Sequence, residues 1–292
     1  MPRHAAELER VNVGGALTEA SQQIAQELTL DKAVSRLEAR VLAAHAWQVS
    51  PSWLIAHDTD LPTPQQLGQL QTLIERRLRG EPIAYITGKR EFFGHAFRVT
   101  PDVLIPRPET ELLVEVLLAH IPVNRQLDIL ELGTGSGCIA ISLALARPLA
   151  RVTAVDNKSA ALAIAQENAR QLQARLNFAE SNWFSALAAQ KFDFIVSNPP
   201  YVIEDDPHLD RGDVRYEPSG ALRSGKDGMD DLQYIIEHAS AFIKTRGGLI
   251  LEHGYNQAEK IANLLKINAF KDIKTWQDLS GRDRVTAGFL SE

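Results

Sequence analysis

Leu127-Asp128-Ile129-Leu130-Glu131-Leu132-Gly133-Thr134-Gly135-Ser136-Gly137, running on into the apolar segment Cys138 to Ala146, is the stretch that decides the fold. The first six residues predict a buried strand, the glycines a tight turn that lets a ligand approach the backbone, and the apolar segment a helix. In that order, the free N–H groups at the start of the helix face a ligand. The next strand-like run, Arg151 to Val155, ends in Asp156, which lies 156 − 137 = 19 positions past the last loop glycine. An acid at roughly that distance accepts hydrogen bonds from ribose hydroxyls in dinucleotide folds, so a nucleoside-type cofactor is expected against Gly133, Thr134, Gly135, Ser136, Gly137 and Asp156. The competing reading of Asp156 is a cap for a helix beginning near Lys158. A dinucleotide fingerprint wants a third small residue where Cys138 and Ile139 stand, and the sequence has no Gly-x-x-x-x-Gly-Lys-Ser/Thr phosphate loop. NAD and nucleoside triphosphates therefore fit less well than a one-carbon donor with a ribose.

A second informative stretch, Asn198-Pro199-Pro200-Tyr201, directly follows the apolar run Phe192 to Val196. Two prolines cannot continue a ladder or a helix, so the chain leaves the expected strand as a stiff loop that carries Asn198 into the crevice above the sheet. A planar –NH2 group has two N–H donors, and the Asn198 carboxamide oxygen and the Pro199 carbonyl could accept both, with Tyr201 offering a flat face to an amide or a base. An ordinary proline-rich turn is the plainer alternative.

The 292 residues suggest two domains, and 45% hydrophobic residues suffice for a sizeable core. No run of about 18 apolar residues and no charged-then-apolar leader occurs, so a cytoplasmic enzyme with no membrane association is expected. The single cysteine, Cys138, reads as a packing residue, and the eight histidines show no zinc-ligand spacing, so no metal is expected. A net charge of −6 argues against a protein that lives on nucleic acid. Arg76, Arg77, Arg79, Lys89 and Arg90 outnumber Glu75 and Glu81 locally and could meet an acidic protein partner, with a solvated helix face the plainer reading.

Residues 1–15 read as a disordered tail ending in Gly14-Gly15. Helices follow to about Gly80, with Val34, Leu37, Val41 and Ala44 forming one apolar stripe and Leu67, Leu70, Ile74 and Leu78 another. Ser50-Pro51 and Thr63-Pro64 read as helix N-cap and N1 pairs. Arg90 to Pro106 reads as a hairpin around Gly94-His95. Thereafter strand-like runs near 127, 151, 175, 192 and 248 alternate with helix-length segments, which predicts a mostly parallel sheet with helices on both faces, closed by an antiparallel pair, Lys271 to Trp276 and Arg284 to Phe289. The stretch Val202 to Gly228, rich in Asp, Gly and Pro, reads as a substrate-covering loop.

Taken together, Gly133 to Gly137, Asp156 and Asn198 to Tyr201 resemble the class I S-adenosylmethionine-dependent methyltransferases, whose amino-methylating branch carries Asn/Asp-Pro-Pro-Tyr/Phe. Arg90 to Gly94, Val103 to Glu111, Ser181 to Leu187, Asp206 to Leu209, Gly212 to Pro218, Leu251 to Gly254 and Arg284 to Thr286 resemble, more closely still, the bacterial release factor glutamine methyltransferases. The resemblance spans roughly positions 16 to 290. It implies a Rossmann-like α/β methyltransferase sheet with an antiparallel last strand (107–292), a helical domain that docks the substrate (16–88) and a linking hairpin (89–106). It also implies S-adenosyl-L-methionine as cofactor, peptide chain release factors as protein substrate and N5-methylation of the glutamine in their Gly-Gly-Gln loop. No direct nucleic-acid partner is implied, and a monomer is expected. Trp183 would lie beside the adenine, and Asn198, Pro199, Pro200 and Tyr201 would form the glutamine site, with Asn198 also touching the cofactor and Asn198, Pro199 and Tyr201 catalytic. Asn182 departs from the acidic residue expected there but keeps a carbonyl acceptor. Arg107 and Glu109 could face the cofactor, with a charge pair at a helix start the plainer reading. A ribosomal-protein glutamine methyltransferase, an adenine N6-methyltransferase and a non-catalytic cofactor-binding module remain as alternatives.

Overall fold

A computed structural model of the chain describes residues 11–188 and 190–291. It divides into two compact units, one ending at Gly88 and one running from Lys89 onward.

The first unit is helical: α1 Val13–Leu28, α2 Lys32–Trp47, α3 Pro51–Ala56, α4 Pro64–Leu78 and α5 Ile83–Thr87. Ser50 caps α3 through Trp53 N, and Thr63 forms a reciprocal capping box with Gln66, each with proline at the first turn. The expected tail lies mostly outside the described residues, but its last part is wrong: Gly14 and Gly15 lie in the first turn of α1, where the Asn12 side chain accepts from Gly15 N. The α2 stripe is also displaced. Val34 and Leu37 are 44% and 64% exposed, whereas Ser35, Ala39, Leu42 and Ala43 are buried. Small side chains there permit close helix packing, and the Ser35 hydroxyl is satisfied by donating to the Asp31 carbonyl. Of the basic cluster, Arg79, Lys89 and Arg90 are exposed as expected, but Arg77 and Arg76 are not free on a solvated face. Arg77 is only 4% exposed and makes a two-point ion pair with Glu38, and Arg76 pairs with Glu81.

The second unit opens with the hairpin β1 Lys89–Phe92 and β2 His95–Arg98, whose turn residues are Phe93 and Gly94, both with positive φ. Phe92 and Phe97 bury into the main core. The rest alternates α6 Glu111–His120, β3 Asp128–Leu132, α7 Cys138–Ala146, β4 Arg151–Asp156, α8 Ser159–Gln171, β5 Asn177–Glu180, β6 Phe192–Ser197, α9 Asp230–Ala239, β7 Ile243–Glu252, α10 Ala258–Ile267, β8 Phe270–Gln277 and β9 Asp283–Leu290. The seven-stranded sheet has the order β5-β4-β3-β6-β7-β9-β8, and only β9 runs against the others. One sheet face packs on α6 and α7 through Leu113, Leu117, Ile139 and Leu143, the other on α9 and α10 through Leu232, Ile235, Ile236, Ile261 and Leu265. This is the Rossmann-like methyltransferase architecture.

Strand order reverses between β3 and β6, and a crevice opens beyond the carboxyl ends of strands at such a point. The two strand ends are clamped there, because the Ser197 hydroxyl donates to the Leu132 carbonyl at 2.8 Å.

Candidate functional site

A cavity of about 550 Å³ lies over the ends of β3 and β4. Its lining includes Glu131, Gly133 to Ser136, Asp156, Asn182, Trp183 and Asn198. The glycine loop is held by Thr134 N donating to the Val155 carbonyl and Gly137 N to the Thr134 carbonyl. Gly137 has φ +82, and a Cβ there would sit 2.9 Å from Ile141 and 3.1 Å from Ala165, so only glycine lets α7 start this close to α8. Gly137 thus serves packing and is absent from the cavity lining, unlike the other four residues of the loop. A Cβ on Gly135 would meet nothing within 4 Å, so that stretch of backbone is open to the cavity. Trp183 brings its six-membered ring within 3.5 Å of where a Gly133 Cβ would stand.

Asp156 ends β4 and lines the cavity, and the N-cap position of α8 is Lys158 rather than Asp156. The Asp156 carboxylate accepts from Gly135 N at 2.9 Å and from Lys158 N at 3.0 Å. Burial pushes its pKa up, against the pull of those backbone donors. Glu131 is more deeply placed. It is 1% exposed, and Oε2 accepts from the Thr134 hydroxyl at 2.5 Å and from Ala140 N at 3.1 Å. Oε1 has no partner, and burial drives the carboxyl up to about 8. An unpartnered carboxylate oxygen in a cavity wall calls for a donor, above all a cationic one.

A second cavity, of about 270 Å³, is lined by Leu104, Arg107, Asn198, Pro199, Tyr201, Val202, Asp206, His208, Leu209 and neighbours. Leu104, Arg107, Asn198 and Ala221 line both cavities. Asn198 therefore stands on the wall between two chambers, one of mixed lining that includes Glu131, Asp156 and the glycine loop, the other largely apolar. Its Nδ2 donates to the Thr110 hydroxyl at 3.1 Å. Pro200 lines the first chamber; Pro199 and Tyr201 line the second. The Tyr201 hydroxyl donates to Glu252 Oε1 at 3.3 Å. Glu252 is 1% exposed, and burial pushes it up to about 7 against the Thr110 hydroxyl, the Arg284 charge and Tyr201. Cys138 is a buried packing residue whose thiol burial pushes up, as its sequence context suggested.

Several contributors were not legible in the sequence. Arg107 does not pair with Glu109; it donates to Glu217, 110 positions away, whose second oxygen accepts from Ile105 N at 3.0 Å. The Glu217 side chain is fully buried, so the 202–228 stretch is tethered at its middle. Near its ends Ser224 N donates to the Val202 carbonyl and Val202 N to the Leu222 carbonyl. Asn168 of α8 accepts from Arg98 N and donates to the carbonyls of Arg98 and Ser136, tying the hairpin to the glycine loop. The one available signal was that Glu217, Arg107 and Glu252 stand in motif-like runs beside residues already singled out. No group of His, Cys, Asp or Glu among the described residues could hold a metal ion.

Comparison with known proteins agrees with this layout. Residues 16–88 match the PrmC N-terminal domain family and residues 109–211 the methyltransferase small domain family. The chain is 46% identical over 266 residues to the release factor glutamine methyltransferase of Bordetella pertussis, spanning 91% of this chain and 98% of that one. It is 45% identical over 254 residues to the enzyme of that name from Salmonella typhimurium, spanning 87% and 91%. A methyltransferase structure from Pyrococcus furiosus shares the fold with a TM-score of 0.53 at 18% identity over 75% of this chain and 98% of that one. With nearly full-length relatives at this identity and both chambers in place at the strand ends, the chain belongs to the release factor glutamine methyltransferase family.

Proposed function

We propose that the protein transfers a methyl group from S-adenosylmethionine to the N5 amide nitrogen of the glutamine in the Gly-Gly-Gln motif of peptide chain release factors. The observation that carries this reading is the pair of chambers that meet at Asn198. The larger chamber fits the cofactor. Glu131 Oε1 would take its α-ammonium, the open backbone at Gly135 would face the methionine portion, and the remaining lone pairs of Asp156 would accept from the ribose diol. Trp183 offers a flat face, and Asn182 a carboxamide, to the adenine.

When bound, S-adenosylmethionine supplies an electrophilic sulfonium methyl, and its C–S bond breaks as the new N–C bond forms. The smaller chamber supplies the acceptor. Leu104, Val202 and Leu209 form apolar walls around the glutamine chain, and Tyr201 lies beside its carboxamide. Asn198 Oδ1 and the Pro199 carbonyl accept its two N–H groups. An amide nitrogen is a poor nucleophile because its lone pair is shared with the carbonyl; holding both N–H groups out of plane turns that lone pair toward the cofactor chamber. Such hydrogen bonds contribute about 1 kcal/mol each in ordinary settings. Fixed alignment at near-attack distance can supply roughly 7–11 kcal/mol. Neither Glu252 nor another carboxylate is needed as base, since an N-methylated amide that still carries both protons is a strong acid and loses one to water.

The helical unit is assigned the docking of the release factor, and the enzyme is taken to act as a monomer in the cytoplasm. No helix among the described residues is long and apolar enough to cross a membrane. The test is mass analysis of release factor peptides after incubation with the protein and S-adenosylmethionine. One added methyl on the Gly-Gly-Gln glutamine is expected; an unmodified release factor alongside a methylated ribosomal protein or DNA would overturn the assignment.

A further inference from the structure

The turn Asn198-Pro199-Pro200-Tyr201 has few handles of its own. Proline has no N–H, so residues 199 and 200 can be anchored only through their carbonyls, and the Pro199 carbonyl is assigned to the acceptor. The turn is tied down instead at its two ends. Before it, the Ser197 hydroxyl donates to the Leu132 carbonyl at 2.8 Å. After it, the Tyr201 carbonyl accepts from Gln257 Nε2 at 3.1 Å. Gln257 stands at the N-cap position of α10, is 6% exposed, lies 56 positions from Tyr201 in sequence and lines neither chamber.

Both N–H groups and the oxygen of that carboxamide bond backbone groups of three separate loops. Nε2 donates a second time, to the Gly228 carbonyl at 3.1 Å, and Oε1 accepts from Gly254 N at 2.8 Å. A backbone carbonyl only accepts and a backbone N–H only donates, so these partners fix which way the Gln257 carboxamide points. Gly228 is fitted to the same spot. It has φ +73, and a Cβ there would stand 2.3 Å from the Tyr201 oxygen and 2.8 Å from Gln257 Nε2. The chain leaving Tyr201 is bonded in turn to the residues that lead into Gly228, with Val202 bridging Arg223 in parallel and Glu204 N donating to the Gly225 carbonyl at 2.8 Å. One buried side chain thus joins the proline turn, the far end of the 202–228 segment and the connection from β7 to α10. Without it, two carbonyls and an N–H lose their partner together, and the turn is free to shift.

We infer that Gln257 is a positioning residue for methyl transfer: by holding the Tyr201 carbonyl it sets where the Asn198 carboxamide, the Pro199 carbonyl and the Tyr201 ring stand around the acceptor. The inference rests on the assignment of those groups to the glutamine amide. The two prolines make the coupling stiff. Their φ angles are held near about −65°, so a displacement at Tyr201 is carried back to Asn198 rather than absorbed between them. Methionine at position 257 keeps the length of the side chain and removes both donors, whereas asparagine keeps the carboxamide but sets it one methylene back.

The experiment measures kcat on an intact release factor, and the dissociation constant of S-adenosylmethionine, for the parent chain, Gln257→Met, Asn198→Ala and the double variant. Gln257→Met is expected to lower kcat by about 10- to 100-fold, the scale of a misplacement of about 1 Å at a reacting centre, with cofactor affinity unchanged. In the Asn198→Ala background the same change should cost about threefold or less, because a residue that acts through Asn198 has little left to lose once that side chain is gone. Lys260→Ala is the control. It releases the turn before Gly228 from α10 at the exposed Asp227 pair, 3.1 Å long, without touching Tyr201, and should leave kcat at the parent value. Losses that multiply in the double variant, a cofactor dissociation constant that rises as kcat falls, or a Lys260→Ala variant as impaired as Gln257→Met would each mark a general loosening of the fold and overturn the inference. Should Gln257→Met fail to fold, Gln257→Asn carries the same cycle. A parent chain that leaves the release factor unmethylated would strike instead at the functional assignment itself, whereas an active parent with an unimpaired Gln257→Met variant strikes only at the positioning role.

Discussion

The cofactor half of the cleft and the acceptor half are built in opposite ways. Around the larger chamber, the strand, loop and helix from Glu131 to Ile139 form one continuous part of the wall, and the bonds that shape it are shorter in sequence: Thr134 to Glu131, Gly137 to Thr134, and Gly135 to Asp156 on the next strand. Around the smaller chamber the side-chain bonds that fix Asn198 and Tyr201 are long-range. Asn198 bonds Thr110 across 88 positions, Tyr201 bonds Glu252 across 51, and Ile105 bonds Glu217 across 112. A common ligand can be held by a local backbone motif that tolerates wide sequence change elsewhere. A particular acceptor needs side chains brought together by the whole fold. Damage on the two sides should therefore separate cleanly into affinity and turnover.

The strongest test of that separation is Asn198→Ala. Removing an acceptor that acts on the reacting nitrogen is expected to lower kcat by about 10²- to 10³-fold, the range seen when one directed hydrogen-bonding group is taken from a transition state. Binding of S-adenosylmethionine, measured by calorimetry, should change little; equal losses in both would place Asn198 with the cofactor. Glu131→Gln is the mirror image. Taking a charge from the oxygen that faces the cofactor ammonium should weaken binding by about 10- to 100-fold, since hydrogen bonds to charged groups contribute roughly 1.5–3 kcal/mol. At saturating cofactor, kcat should stay near the parent value.

The same residue has a signature without any ligand. Its carboxyl rises from the ordinary 4.5 to about 8 in the folded chain, so the folded state holds a proton that the unfolded state has released between those two values. Stability from this group is full below about 4.5 and is lost as pH climbs toward 8, because the unfolded chain there binds fewer protons than the folded one. The melting temperature of the parent should fall relative to Glu131→Gln between pH 5 and pH 8, by at least the ~2–4 °C that corresponds to about 1 kcal/mol in a domain of this size. A constant difference across that range would show the carboxyl to be ionised throughout.

The smallest effect belongs to the tether of the 202–228 segment. Arg107→Ala leaves the buried Glu217 carboxylate with the Ile105 N–H but without its cation. Because Arg107 is itself about one-third exposed, water replaces part of what is lost, and a cost of about 1–2 kcal/mol is expected. The measurement is a thermal melt paired with KM for the release factor, which should rise more than kcat falls.

The same contrast explains what the sequence could show. Leu127 to Ala146 and Asp156 are legible because the strand, turn and helix signals are local and the glycines have no other use at that density. Asn198 is legible because two prolines after an apolar run leave few places for it to go. Glu217 and Glu252 are not, because their importance lies in which buried amide, hydroxyl or guanidinium the folded chain brings to them. Arg77 misleads for the same reason: its charge predicts solvent, and only the fold supplies Glu38. In α2, hydrophobicity points to Val34 and Leu37, but the packed face is the one with small side chains at Ser35, Ala39 and Ala43, where helix approach outweighs the burial of two larger residues.

The most direct measurement is a crystal structure with S-adenosylhomocysteine and a Gly-Gly-Gln peptide bound together. The glutamine nitrogen should lie in the smaller chamber, within hydrogen-bonding distance of both Asn198 Oδ1 and the Pro199 carbonyl, and face the sulfur across the shared wall. A peptide bound with its carboxamide turned from Asn198, or lodged outside the chamber lined by Leu104 and Tyr201, would contradict the account.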